Sequence, residues 1–445
     1  MKKILALLLA LMMVFSLFAC GGSTTDDTDD SSDATDNTDA GTDTADGGDT
    51  AAVTEATPNM NEDGTPNLDK IAHYDSSYDY SQNPQFTFCY MAWNADILYQ
   101  QSADAFEHWA GKYNLDWQGF ISANNDGDMY MTNLQTYLDQ GCEMFVMDPD
   151  ITIFPTIANL FADYPDAVYM SQMGQARDGV ATDEHSDGEL LTCFVGFDYY
   201  GAGQLCGEKL VEWKEETYPD VDWSEFGFIS YTLSYSPPLH ERCLGCKEVF
   251  MGIDGVTEDQ YFEIDVSSYG MTLQGAIDGA TPVLSTNDQY KYWLIFGLID
   301  DLAMGAATVV DQMGLTETSC INCIGGPGLQ TQLDAGQHTA FRYAYATPNL
   351  LYAEPIIGAL YAFKMGWATP DTLWPSWVKA SDHGGEGHSY ANLLLPSYWI
   401  DESNYQQFYA WADMYSGDDY YGYSQEGVSI DDYSPFVEVP DGWTD

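Results

Sequence analysis

Three groups of residues in this 445-residue chain have the type and spacing to do chemistry: paired cysteines, a histidine–glycine loop, and polar side chains beside aromatic rings. Cys243 with Cys246 and Cys320 with Cys323 form two Cys-x-x-Cys pairs, which together match a four-thiolate zinc set. The second pair falls in a run that reads as a strand, where residues three apart point to opposite faces. The first falls in a helical pattern, where a small buried thiol packs as core. Structural thiols without metal are therefore expected. His383-Gly384-Gly385-Glu386-Gly387-His388 offers ligand types, but its glycines make a flexible turn rather than a preorganised metal site. No nucleophile elbow, Walker loop or His-Glu-x-x-His occurs, so neither catalysis nor a cofactor is expected. Trp93-Asn94-Ala95-Asp96 with Tyr99 combines what a polyol needs, flat aromatic faces for its C–H surfaces and carboxylate or amide groups for its hydroxyls.

The elements that position these residues begin after an unusual N-terminus. Met1-Lys2-Lys3, an apolar run from Ile4 to Phe18 and a small residue at Ala19 read as a secretory signal over 1–19. Leu17-Phe18-Ala19-Cys20 matches the lipobox of bacterial lipoproteins, which makes Cys20 the expected acylated residue. From Gly21 to about Pro58 the chain is nearly all Ser, Thr, Asp, Gly and Ala, and residues 20–83 are expected to form a lipidated, disordered acidic tether. Lys and Arg number 13 against 70 Asp and Glu, for a net charge of −57, which repels phosphate backbones and anionic lipid. Nucleic-acid binding is excluded, and the membrane is reached through the lipid alone.

From Gln85 onward short apolar strands alternate with amphipathic helices, the rhythm of parallel α/β units. Strands are expected at Phe86–Met91, Trp117–Ser122, Met144–Met147, Ala167–Met170 and Cys193–Val195. A second set follows at Phe226–Tyr231, Tyr261–Val266, Tyr292–Ile299, Cys320–Ile324 and Thr339–Tyr345. Most are continuous apolar runs, as in sheets covered on both faces. Helices are expected after Asp198, from Ser236-Pro237-Pro238, over Leu273–Leu284, after Asp300-Asp301 and over Leu350–Met365.

Several phrases, in order, resemble the type I periplasmic binding proteins of the ribose and galactose-binding kind. Val195-Gly196-Phe197-Asp198-Tyr199-Tyr200-Gly201-Ala202-Gly203 is similar to that family's Val-Gly-x-Asp-x-x-x-Ala-Gly, and Ile299-Asp300-Asp301-Leu302-Ala303-Met304-Gly305-Ala306 to its Asn-Asp-x-Met-Ala-x-Gly-Ala. Asn124-Asn125-Asp126, Asp148-Pro149 and the closing stretch from Leu395 to Asn404 match further turns. The resemblance implies an α/β fold of two doubly wound parallel-sheet lobes joined by a three-segment hinge near Asp198, Tyr345 and Pro396. The N-terminal lobe then takes 84–197 plus 347–395 and the C-terminal lobe 198–346 plus 396–415, with an acidic aromatic extension over 416–445.

By position in that family, Trp93, Asn94, Asp96 and Tyr99 follow the first strand and Asp148 replaces an asparagine after the third. Gln172 falls near an Asp-Arg pair that this chain lacks. Arg242 matches the arginine that forks onto the sugar, with His240 as the alternative register. Ile299 replaces another asparagine, and Asp300 is either a ligand contact or a helix cap. Gly325-Gly326-Pro327-Gly328 replaces an aspartate, either offering N–H groups to an anion or forming a wide loop, while Tyr345 ends the tenth strand. The implied function is that of an extracytoplasmic, monomeric substrate-binding lipoprotein of an ABC transporter, passing a sugar or polyol to a membrane permease. The alternative is a sensing receptor of autoinducer or chemosensory type docking on a membrane kinase. Repressors share this fold but need a helix-turn-helix where this chain has a signal and tether. Replacing Cys20 with Ser is expected to release the protein from membranes with its fold intact, and retention in the membrane fraction would refute the anchor.

Overall fold

Two parallel sheets with the same strand order organise the chain. The computed structural model describes residues 57–150, 153–172, 194–196, 199–347, 349–370, 372–375, 392–394 and 397–414. In the first sheet β1 (Thr87–Ala92), β2 (Asp116–Ser122), β3 (Met144–Asp148) and β4 (Val168–Ser171) pair in parallel in the order β2-β1-β3-β4. In the second, β6 (Phe226–Thr232), β7 (Tyr261–Asp265), β8 (Tyr292–Phe296), β9 (Ser319–Gly325) and β10 (Phe341–Ala346) run parallel, and β12 (Tyr398–Ile400) closes the edge antiparallel to β10. Its order, β12-β10-β9-β8-β6-β7, repeats the first sheet's pattern with β6 and β7 in the places of β1 and β2. A short pair joins β5 (Phe194–Gly196) to β11 (Asn392–Leu394). The chain is thus an α/β protein of two doubly wound lobes.

The helices are α1 (Ile97–Lys112), α2 (Gly127–Asp139), α3 (Phe154–Phe161), α4 (Tyr199–Thr217), α5 (Pro237–Met251), α6 (Leu273–Thr286), α7 (Asp300–Gln312), α8 (Pro327–Asp334), α9 (Asn349–Lys364) and α10 (Tyr405–Met414). Asp96, Asp126 and Thr272 cap α1, α2 and α6 through side-chain oxygens that accept an N–H from the first turn. Every residue of β3, β6 and β9 is buried, which is why these strands are continuous apolar runs. Among the described residues no helix is long and apolar enough to cross a membrane.

Four expectations change. Residues 57–83, expected as the end of the tether, carry buried Ile71, Ala72, His73 and Tyr80 and pack on α9. There the Glu354 carboxylate lies 3.2 Å from His73 Nδ1 and accepts the Tyr74 N–H at 2.5 Å, while Gly358 is required because a Cβ would stand 1.6 Å from the Ala72 carbonyl oxygen. The β8 strand stops at Phe296 rather than Ile299, because Leu298 adopts a left-handed φ of 64°. The glycine-rich stretch after β9 is neither a wide loop nor open to an outside anion: it opens α8. Asp300 is not the helix cap either, since Ile299 takes that place. The signal, Cys20, the hinge positions Asp198 and Pro396, the His383–His388 loop and the 416–445 extension lie outside the described residues.

Glu354→Ala removes the acceptor that ties residues 73–74 to α9, and unfolding in urea is expected to show a loss of about 1–3 kcal/mol. An unchanged midpoint would mean that this carboxylate does not hold the segment in place.

Candidate functional site

Between the two sheets, at the carboxyl ends of their strands, lies a cavity of about 390 Å³. In open parallel sheets this is where loops diverge at the point of reversed strand order, leaving a crevice. Loops after β1, β2, β3 and β4 line it from one side and loops after β6, β7, β8, β9 and β10 from the other.

On the first side, Trp93 donates its backbone N–H to the Asp148 carbonyl at 2.7 Å and accepts from Asn125 N at 2.8 Å, locking three loops together. Asn94 Oδ1 accepts the Asp96 N–H at 3.0 Å, while its Nδ2 donates to Asn125 Oδ1 at 3.2 Å. Asp96 Oδ1 accepts the Tyr99 N–H at 3.0 Å, so this carboxylate caps α1 and lines the cavity at once. Asp148 is buried, and Tyr90 donates its hydroxyl to Oδ2 at 2.6 Å. Burial pushes its carboxyl up to about 8; the Tyr90 hydrogen bond opposes the shift and the charge of Asp96 adds to it. Gln172, 2% exposed, donates from Nε2 to Ser102 Oγ at 3.0 Å, while its Oε1 has no partner among the described residues.

On the second side, Arg242 projects from α5 with its guanidinium 5.3 Å from the Tyr199 ring centroid. Burial lowers its pKa. Gly203 of α4 makes this placement possible, because a Cβ there would stand 2.0 Å from the Arg242 carbonyl oxygen. Asp300, 6% exposed, starts α7 and accepts from Gly328 N at 2.8 Å and Gly326 N at 3.1 Å. The glycine turn's N–H groups are therefore engaged by the protein's own carboxylate. Burial pushes Asp300 up to about 7 against those two N–H bonds, with Asp96 and Asp301 contributing. Burial likewise raises Asp301. Asp96 rises through burial, with the charge of Asp301 adding to it.

Trp93, Asn94, Asp96, Tyr99, Asp148, Gln172, Arg242 and Asp300 thus meet at one cavity. His240 and Tyr345 stand outside its lining. His240 turns its Nδ1 to Thr232 Oγ1 at 2.9 Å, and Tyr345 is buried with its ring 5.2 Å from that of Trp399. Sequence reading missed Tyr235 and Ser236 after β6, Ser267 and Met271 after β7, and Thr347 after β10. Their signal was positional, since each follows the carboxyl end of a strand. Tyr235 approaches Asp150 across the cavity, with its hydroxyl 3.5 Å from Oδ2. The two Cys-x-x-Cys pairs are buried separately, one on α5 and one on β9, and among the described residues no group of three or more acidic, cysteine or histidine side chains is arranged for a metal ion.

A cleft between two doubly wound lobes, walled by strand ends from both, defines the fold of the type I periplasmic sugar-binding proteins. A galactofuranose binding protein is similar in structure, with a TM-score of 0.56 and 12% identity over 75% of this chain and all (100%) of that one. An ABC transporter solute binding protein from Bacillus halodurans C-125 with bound myo-inositol gives 0.53 and 15% over 73% of this chain and 98% of its own. The fructose binding periplasmic domain of a hybrid two component system gives 0.53 and 13% over 75% and 96%. No family model and no curated protein matches the sequence.

The high pKa of Asp148 has a consequence with a definite sign. Between the ordinary 3.8 and about 8 the unfolded chain has released this proton while the folded chain keeps it. Its stabilising contribution is therefore full below about 4 and lost as pH rises through about 8, with a slope of at most about 1.4 kcal/mol per pH unit. Asp148→Asn keeps an acceptor for Tyr90 but does not titrate. The stability of this variant relative to the parent, measured by urea unfolding without ligand, is expected to improve steadily from about pH 4 to about pH 8. A difference independent of pH would mean that the carboxyl is ionised throughout.

Proposed function

We propose that this protein is the extracytoplasmic substrate-binding lipoprotein of an ABC transporter, and that its two lobes close on one sugar or polyol. The observation that carries this reading is the cavity itself, walled from both lobes by carboxylate, amide and guanidinium groups beside Trp93 and Tyr99. A receptor that grips from both sides couples binding to closure, because a ligand shifts an open–closed balance only through contacts that differ between the states. The ligands of proteins sharing this fold, myo-inositol and galactofuranose, support a hydroxyl-rich solute.

In this reading the N-terminal lobe comprises 84–197 and 347–395 and the C-terminal lobe 198–346 and 396–415. Cys20 carries the lipid, a membrane permease receives the solute, and the protein works as a monomer. Asp96, Asp148, Gln172, Arg242 and Asp300 bind hydroxyls, while Trp93 and Tyr99 cover the apolar faces of the ring. One observation favours a second reading: the same fold serves as the fructose binding domain of a two component system. A sensor would dock on a membrane kinase instead of a permease, and co-purification with one or the other separates the two.

Removing a charged group that hydrogen-bonds a buried ligand costs about 1.5–3 kcal/mol, or about 10- to 150-fold in affinity. Calorimetry across hexoses, pentoses and inositols is expected to find a ligand whose binding weakens by that factor in Arg242→Ala and in Asp96→Asn, which retains the α1 cap. No binding across the set, or unchanged affinity in both variants, would overturn the assignment.

A further inference from the structure

The cavity's polar groups are heavily unbalanced. Five aspartates line it, Asp96, Asp148, Asp150, Asp300 and Asp301, against a single basic side chain, Arg242. The aspartates are divided between the lobes: across the cleft the charge of Asp301 acts on Asp96 and that of Asp96 on Asp300, while within the first lobe Asp96 acts on Asp148. Bringing the lobes together therefore sets like charges against each other, which a neutral ligand leaves uncompensated. A second observation has the same sign. Gln172 Oε1 is an acceptor on a side chain only 2% exposed, it belongs to the cavity lining, and it has no partner among the described residues. Burial keeps the proton on Asp148 and leaves Asp300 part-protonated near pH 7, so the negative charge of the cleft rests mainly on Asp96 and Asp301, one on each wall, and its complement is positive and rich in donors. A bare metal ion does not fit, since no three acidic, cysteine or histidine groups among the described residues converge for one. The aromatic faces of Trp93, Tyr99 and Tyr235 suit a ring that bears a cation.

We infer that the solute is an amino sugar or aminocyclitol, and that its ammonium group lies between Asp96 of the first lobe and Asp301 of the second. The inference rests on the reading of the cleft as a sugar or polyol site and specifies what that solute carries. Three N–H donors on one nitrogen supply hydrogen bonds to both carboxylates, and the positive charge removes the repulsion that opposes closure. Arg242 and the remaining lining bind hydroxyls.

The test is calorimetry on the whole protein near pH 7 with matched pairs: glucose and glucosamine, galactose and galactosamine, myo-inositol and an amino-deoxy inositol. At least one amino member is expected to bind about 10-fold or more tightly than its neutral partner, and Asp301→Asn and Asp96→Asn are each expected to shrink that ratio by about 10-fold. Asp301→Asn alters a half-buried side chain, and Asp96→Asn keeps the helix cap, so both variants are expected to fold; a thermal melt without ligand confirms it. Neutral members that bind as tightly as the amino ones overturn the inference and leave the sugar or polyol reading standing. No binding by any member overturns both. An amino preference that persists in both variants refutes the placement of the nitrogen between the two aspartates.

Discussion

A carboxylate buried at the end of a parallel strand has to be met by N–H groups or keep its proton, and the second lobe is built around one such group. Asp300 opens α7 and accepts from Gly326 and Gly328, the residues that open α8. The positive ends of two helices therefore converge on one side chain, which ties β8, β9, α7 and α8 together. Its surroundings follow from this. Gly325 and Gly328 have no alternative, since a Cβ would stand 2.0 Å from Asp300 Oδ2 at the first and 2.8 Å from Asp300 at the second. Leu298 takes a left-handed φ of 64° to carry the chain from β8 into the helix, at a cost of order 1–3 kcal/mol that the surrounding packing offsets. Even so, the N–H groups do not fully compensate for burial, and the carboxyl is held near 7.

The first lobe solves the same problem with side chains. Tyr90 reaches from inside β1 to Asp148, and Asp96 spends one oxygen on the N-terminus of α1. Asp96, Asp148 and Asp300 are each fixed by hydrogen bonds within their own lobe. Side chains held in this way need no further ordering, which is how preorganised groups gain affinity without gaining area. Arg242 belongs to the same design, because Gly203 lets α4 and α5 approach closely enough to bury its backbone against the neighbouring helix.

How much of this was legible follows from what each feature depends on. β3 and β9 were readable because a strand covered on both faces is an apolar run whatever its neighbours are, and Asp96 because a cap is a local event. The choice between Arg242 and His240 was not, since it turns on which side of α5 faces the cleft. Periodicity alone left both open until His240 was found on Thr232. Asp300 read equally as a cap or a ligand contact because its partners lie 26 and 28 residues away in sequence. Residues 57–83 continue a polar, acidic composition, yet a few side chains such as Ile71 and Tyr80 suffice to seat them on α9. Pairwise packing of that kind leaves no periodic trace.

Composition was least informative where it was most extreme. A net charge of −57 makes any single aspartate unremarkable in the sequence. Hydrogen bonds donated by the hydroxyls and backbone N–H groups of Thr65, Ser81 and Ser224 hold Asp63, Asp79 and Asp222 below the usual carboxylate range. Asp96, Asp148, Asp300 and Asp301 differ only in being drawn out of water, and burial drives all four the other way. The sign of that displacement, rather than the number of acidic residues, separates a solvated surface from a cleft. It also sets a condition on closure. Desolvated carboxylates on the two walls of one cleft repel each other unless protons or hydrogen-bond donors come between them, so their ionisation and their separation are linked.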